Sequence, residues 1–119
     1  MDINSCLDRL RKCGYSEVQS DNFGYTVVTN GMGIGATVGY NALNKQIDSM
    51  HCYELENGKY NINGNGAYLA TTSAYGAKNV GCIYMCATEQ LDILCGEPTE
   101  IVRKFRELQL EKTLDEVLG

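Results

Sequence analysis

Residues 29–40, Thr29-Asn30-Gly31-Met32-Gly33-Ile34-Gly35-Ala36-Thr37-Val38-Gly39-Tyr40, place four glycines in twelve positions, directly after the apolar run Tyr25-Thr26-Val27-Val28. Two arrangements compete for such a stretch. A strand, a glycine loop and a helix would cradle a pyrophosphate on free backbone N–H groups at the helix N-terminus. A strand, a tight turn and a second strand would need only Asn30-Gly31, the preferred pair for a two-residue hairpin turn. The choice separates a nucleotide-binding α/β chain from an α+β chain.

Gly33 to Gly39 satisfies GxGxxxG, and a strand followed by Gly-Ile-Gly resembles the glycine motif of short-chain dehydrogenases. Their Thr-Gly-x-x-x-Gly-Ile-Gly spacing is absent. Beyond residue 50 the chain reads as strands, without the alternating units that a nucleotide-binding α/β sheet requires. The hairpin is the better reading, and it pairs Thr29 with Met32, Val27 with Ile34 and Tyr25 with Ala36. One face then carries Tyr25, Val27, Met32, Ile34, Ala36, Val38 and Tyr40. The other sets Thr26 and Val28 against Gly33, Gly35 and Thr37 and is nearly bare of side chains. Glycine inside a strand marks close approach by another element or a ligand, so Gly33 and Gly35 are candidate binding positions.

Outward from this hairpin, Ile3, Cys6, Leu7, Leu10 and Cys13 recur at helical spacing and Gly14 follows as a stop, which predicts a helix over 3–13. Two short strands flank a turn at Asp21-Asn22-Phe23-Gly24. Leu43, Ile47 and Met50 predict a short amphipathic helix within 41–50. Asn57-Gly58 predicts a second hairpin, setting Glu56 against Lys59 and Leu55 against Tyr60, and Asn63 to Gly66 a further turn. "AYLATTSAY", "CIYMCATEQ" and "LDILC" read as meander strands, with "GAKNVG" as a loop. Pro98 opens a last helix with Ile101, Val102, Phe105 and Leu108 as its apolar stripe. Thr113 to Glu116 matches a capping box, which predicts a second short helical turn or a bend near Lys112, with Leu110, Leu114, Val117 and Leu118 either buried or a handle for a partner. The fold predicted is one α+β domain over 1–119, an antiparallel sheet (hairpin plus meander) with N-terminal, short central and C-terminal helices packed on one face.

Charge bounds the function classes. The 119 residues carry a net charge of -5, which argues against a nucleic-acid binder that works by neutralising phosphates. Residues 22–44 hold no charged side chain, and between Tyr60 and Thr88 only Lys78 is charged. Such stretches suit strands buried by helices or by a second copy, so a homodimer is expected. No apolar run is long enough to span a bilayer, and the first residues have acid where a signal peptide needs base, so a cytoplasmic protein is expected.

The six cysteines form no recognisable metal or disulfide framework. Cys6 and Cys13 lie roughly 10 Å apart along a helix, and Cys82 and Cys86, read as one strand, roughly 13 Å apart. There is no CxxC, and His51 is the one histidine. The cysteines read as small apolar residues in a reducing compartment. A cysteine nucleophile would need His51 to meet Cys82, Cys86 or Cys95 across the sheet. Glu54 and Glu56 read as a solvated strand edge. No catalytic residue, metal or cofactor is therefore assigned. Tyrosines in or beside strands, Tyr25, Tyr40, Tyr53, Tyr60, Tyr68 and Tyr84, offer large rigid surfaces with polar tips and are the candidate partner-binding residues. The expected function is a small non-enzymatic module that inhibits, regulates or chaperones a larger protein partner, as phage-encoded inhibitors of host defence do. The alternatives are a small-ligand or nucleotide binder using the glycine-lined face, and a cysteine-dependent enzyme. Small acidic secretion chaperones share the general order of helices and strands, an analogy of architecture alone.

Overall fold

A computed structural model describes residues 1–21, 24–55 and 67–118. Among these residues six strands form one sheet in sequence order: β1 (Ser16–Asp21), β2 (Tyr25–Thr29), β3 (Ile34–Tyr40), β4 (Ile47–Glu54), β5 (Ala67–Thr71) and β6 (Ile83–Tyr84). Neighbours are antiparallel except β5 and β6, which run parallel. Four helices accompany them: α1 (Ile3–Lys12), α2 (Ala74–Val80), α3 (Ala87–Leu94) and α4 (Ile101–Leu118). The fold is α+β, as the sequence predicts.

The decisive stretch is a hairpin, but its turn is longer than expected. The Asn30 carboxamide oxygen accepts the N–H groups of Met32 (2.7 Å) and Ile34 (3.1 Å), and the Thr29 hydroxyl accepts from Gly31 (3.1 Å) and donates to the Ile34 carbonyl (2.9 Å). These bonds hold residues 30–33 as the loop. Val28 therefore pairs with Ala36 and Tyr25 with Gly39, a shift of three residues from the two-residue turn. An odd shift moves every side chain of one strand to the other face. Val28 joins Ile34, Ala36 and Val38 in the main core, while Val27 and Tyr25 lie on the opposite side with Tyr53 and Leu55.

The main core lies between the sheet and three helices. Ile3, Cys6, Leu7 and Leu10 of α1, Leu91 and Leu94 of α3, and Ile101 and Phe105 of α4 pack with Val28, Ile34, Ala36, Val38, Met50, Cys52, Ala70 and Ile83. Asp2 caps α1 by accepting the N–H groups of Asn4 (2.8 Å) and Ser5 (3.2 Å). Gln90 of α3 is fully buried, and its carboxamide is satisfied on every side: Nε2 donates to the carbonyls of Met50 (3.2 Å) and Met85 (2.9 Å), and Oε1 accepts the Cys52 thiol (3.0 Å). The Tyr15 hydroxyl donates to the Leu94 carbonyl (2.8 Å), anchoring the end of α3 beside α1.

Four further expectations are corrected. Residues 41–50 form a turn and the start of β4 where a helix was predicted; Leu43 is 96 % exposed while Met50 is buried, so the spacing did not mark one face. "GAKNVG" belongs to α2, capped by the Ser73 hydroxyl on the Gly76 N–H (2.9 Å), and the crossover through α2 makes β6 parallel. "ATEQLDIL" is α3, so the meander ends at β5 and the short central helices are α2 and α3. No bend interrupts α4 at Lys112, because the Thr113 hydroxyl donates back to the Gln109 carbonyl (2.9 Å) instead of capping a new helix. The hairpin predicted at Asn57-Gly58, the turn at 63–66 and Asn22-Phe23 lie outside the described residues.

Two substitutions test this packing. Gln90→Leu fills the space but leaves the Met85 carbonyl and the Cys52 thiol without their partner; urea denaturation should show a loss of about 1–3 kcal/mol. A methyl group on Gly35 would lie 2.6 Å from Tyr53 Cε2 and 3.2 Å from Leu55 Cδ2. Gly35→Ala should therefore cost about 1–3 kcal/mol, and the cost should shrink when Tyr53 is first changed to Leu.

Candidate binding surface

The predicted site residues do not assemble into one surface. Tyr25, Gly35, Tyr53 and Tyr68 lie on the side of the sheet away from α1, α3 and α4. Tyr40 packs against the main core on the helix side, with Lys45 Nζ 5.8 Å from its ring centroid. Tyr84 is at the β6 edge, beneath Lys112 Nζ at 5.7 Å. Gly33 is in the hairpin loop with φ +99°, where its role is backbone freedom rather than close approach. Tyr60 lies outside the described residues.

The side of β3 that glycine leaves bare is filled from within. The Tyr53 ring of β4 lies over Gly35, is 1 % exposed, and its hydroxyl is 3.1 Å from Thr37 Oγ1. Tyr68 meets Tyr53 edge-on at 6.0 Å between centroids and His51 at 6.5 Å. The glycine-lined face thus offers no space for a small ligand at Gly35. Tyr25 is tied to Gln19, whose Nε2 donates to its hydroxyl at 3.1 Å.

Beside this aromatic row, His51 Nδ1 is 2.5 Å from Thr71 Oγ1, which also accepts the Ser73 N–H at 3.1 Å. Burial lowers the His51 pKa below its ordinary value, so near neutrality the ring is uncharged and shares one proton with the Thr71 hydroxyl across this bond. His51, Tyr68, Thr71, Ser73, Gly76 and Val80 line a cleft of about 210 Å3.

Among the described residues no thiol forms a hydrogen bond with His51. Cys52 points into the core at Gln90, and burial pushes its pKa up. Cys86 is exposed at the start of α3, off the strand it was assigned to with Cys82, and its thiol contacts Thr88 (3.3 Å) and Glu89 (3.2 Å). Cys95 lies 4.0 Å from the Arg9 carbonyl, its pKa pushed up to about 12 by burial and by the Cys13 thiol beside it. All six cysteines are free. Cys6 and Cys52 are fully buried, which suits their reading as small apolar residues; the other four are not. Among the described residues no three His, Cys, Asp or Glu side chains converge to hold a metal ion, and no helix is long and apolar enough to cross a membrane.

A groove of about 550 Å3 runs between α2, β6 and α4, lined by Lys78, Tyr84, Gln109, Lys112 and Glu116 among others. Gln109 Nε2 donates there to the Gly81 carbonyl, binding α4 to the end of α2. On the outside of the same helix lies an exposed apolar stripe. Leu110, Leu114, Val117 and Leu118 are 60, 48, 76 and 84 % exposed. At about 100° of rotation per residue they fall in one arc roughly 100° wide, on the far side of the helix from Ile101, Phe105 and Leu108. No known protein family, curated protein or solved structure matches the chain.

The depressed His51 pKa carries a sign that can be checked. Below about pH 6.5 the unfolded chain binds the proton more readily than the folded one, so this contribution to stability is fully present above pH 6.5 and is lost as pH falls toward the folded-state value. Urea midpoints measured from pH 7 to 5 should fall more steeply for the wild type than for His51→Asn.

Proposed function

We propose that the chain is a non-enzymatic protein-binding module that inhibits, regulates or chaperones a larger protein by occupying part of its surface. The observation that carries the reading is the outer face of α4. The last nine residues of this helix, Leu110 to Leu118, contribute no buried side chain, yet four of them are large and apolar and share one face. Such a face contributes nothing to the chain's own core. It gains roughly 1.5–3 kcal/mol per side chain only when something covers it. Anchors at i, i+4, i+7 and i+8 are the pattern by which an amphipathic helix seats in an apolar groove.

The rest of the molecule is consistent with this reading. The His51 ring is held by Thr71, the Cys52 thiol by Gln90, and Gly35 is covered by Tyr53. These groups explain one another through packing, without a substrate. The acidic balance of the chain suits a partner whose groove has a basic rim.

Immobilised wild-type protein should retain a specific protein from a lysate of the cells that encode it. Leu114→Glu, which alters an exposed position and should leave the circular dichroism spectrum unchanged, should retain at least ten-fold less. Capture by neither protein, or equal capture by both, would remove the basis for this role of α4.

A further inference from the structure

Resting on that assignment of the outer face of α4, we infer that its occupant in the free protein is a second copy of the same chain, with the two α4 helices packed antiparallel around a two-fold axis near Leu110. Two features of the helix point to this occupant and orientation.

The first is shape. N-terminal to the apolar stripe, the outer face of α4 is a shallow depression of about 460 Å3 lined by Thr99, Val102, Arg103, Arg106, Glu107 and Leu110. A second α4 running the opposite way sets Leu110 against Leu110 and lowers Leu114, Val117 and Leu118 onto Arg106, Arg103 and Val102 of the first. The aliphatic stems of the two arginines cover the leucines while their charged ends stay in water. By symmetry the same depression on the second copy receives the first copy's stripe. A parallel pair would stack stripe on stripe and leave both depressions open.

The second is charge. Residues 100–107 carry Arg103, Lys104 and Arg106 against Glu100 and Glu107, whereas residues 111–118 carry Glu111, Asp115 and Glu116 against Lys112. Antiparallel packing brings the cationic half of each helix to the acidic half of the other. Parallel packing would oppose like halves.

Arg103 and Arg106 are held on this face by ion pairs within the chain, Arg103 with Glu100 and Glu107, and Arg106 with Glu54 at 3.0 Å. The contact spans residues 102–118, roughly 24 Å of helix. A single helix pair buries less than the roughly 800 Å² per partner of a standard interface, so dissociation in the micromolar range is expected. Self-pairing and capture of a larger partner draw on the same face and exclude each other.

Sedimentation equilibrium of the full chain from about 1 to 500 μM should show a monomer–dimer equilibrium. Leu114→Glu should raise its dissociation constant at least ten-fold. Leu110→Cys, which faces its own counterpart, should form a disulfide between copies on oxidation, whereas Leu118→Cys, whose counterpart lies roughly 24 Å away in the antiparallel pair, should not. Wild-type protein that stays monomeric throughout this range overturns the inference. So does a dimer that ignores Leu114→Glu, or one that Leu118→Cys cross-links as readily as Leu110→Cys. If the chain is monomeric but Leu114→Glu still abolishes capture of a larger protein, only the second copy is overturned and the docking role of α4 stands. If the chain is monomeric and capture is also insensitive to Leu114, both fall.

Discussion

The carboxamide of Gln90 is the constraint on which the helix-covered side of the molecule turns. An amide group sealed from water costs several kcal/mol unless each of its bonds is made, and α3 can make them only in one position. Its nitrogen must reach the carbonyls of Met50 in β4 and Met85 just after β6, and its oxygen must receive the Cys52 thiol. Hydrophobic contact is indifferent to a small slide of α3 along the sheet; these three bonds are not. Because α3 is fixed, Leu94 can receive the Tyr15 hydroxyl, and α1 and α4 close over the remaining apolar surface with Leu10 and Phe105. Burial keeps the Cys52 thiol protonated, which is the form that can donate to Gln90.

A second constraint works on the opposite side of the sheet. Tyr53 can lie flat over β3 only because position 35 has no side chain, and its hydroxyl then finds Thr37 two residues along the same strand. In the sequence the alternating glycines were legible as a strand with a bare side, and Asn30-Gly31 as the turn. What covers the bare side was not legible, because it depends on register. The turn chemistry of an Asn-Gly pair fits a two-residue loop as well as the four-residue loop observed. The choice is made by the Asn30 side chain bonding Met32 and Ile34, a contact that leaves no periodic trace in the chain. One odd shift then moved Val28 into the main core and Val27 out of it.

The same distinction runs through the rest of the fold. Helix α1 was readable because Ile3, Cys6, Leu7 and Leu10 recur at helical spacing and Gly14 follows as a stop. Helix α2 was not, since among its seven residues only Ala77 is buried and no apolar period can form; its signals were the Ser73 cap and the left-handed Gly81 alone. Helix α3 was hidden by "LDIL", whose alternation imitates a strand, although Leu91, Leu94 and the buried Gln90 share a helical face. For the candidate surface, tyrosine content pointed to the sheet. Tyr53 fills a glycine gap, and Tyr40 packs on the core.

Helix α4 shows why burial could not be inferred from apolar spacing alone. Ile101, Phe105 and Leu108 repeat at helical intervals, and so do Leu110, Leu114, Val117 and Leu118, so the second set looks like a continuation of the first. Carried at about 100° per residue, the core-facing direction passes through Gln109, Lys112 and Glu116, while the later apolar residues emerge on the opposite side. The predicted bend near Lys112 was a way of returning that second set to the core. With the helix straight, the change of side is real. Gln109 then bonds the Gly81 carbonyl and Lys112 sits over Tyr84, so the inward face of the second half is held by polar contacts. A helix held to α2 and β6 by Gln109 and Lys112 leaves its later leucines outside the core of a single copy of the chain.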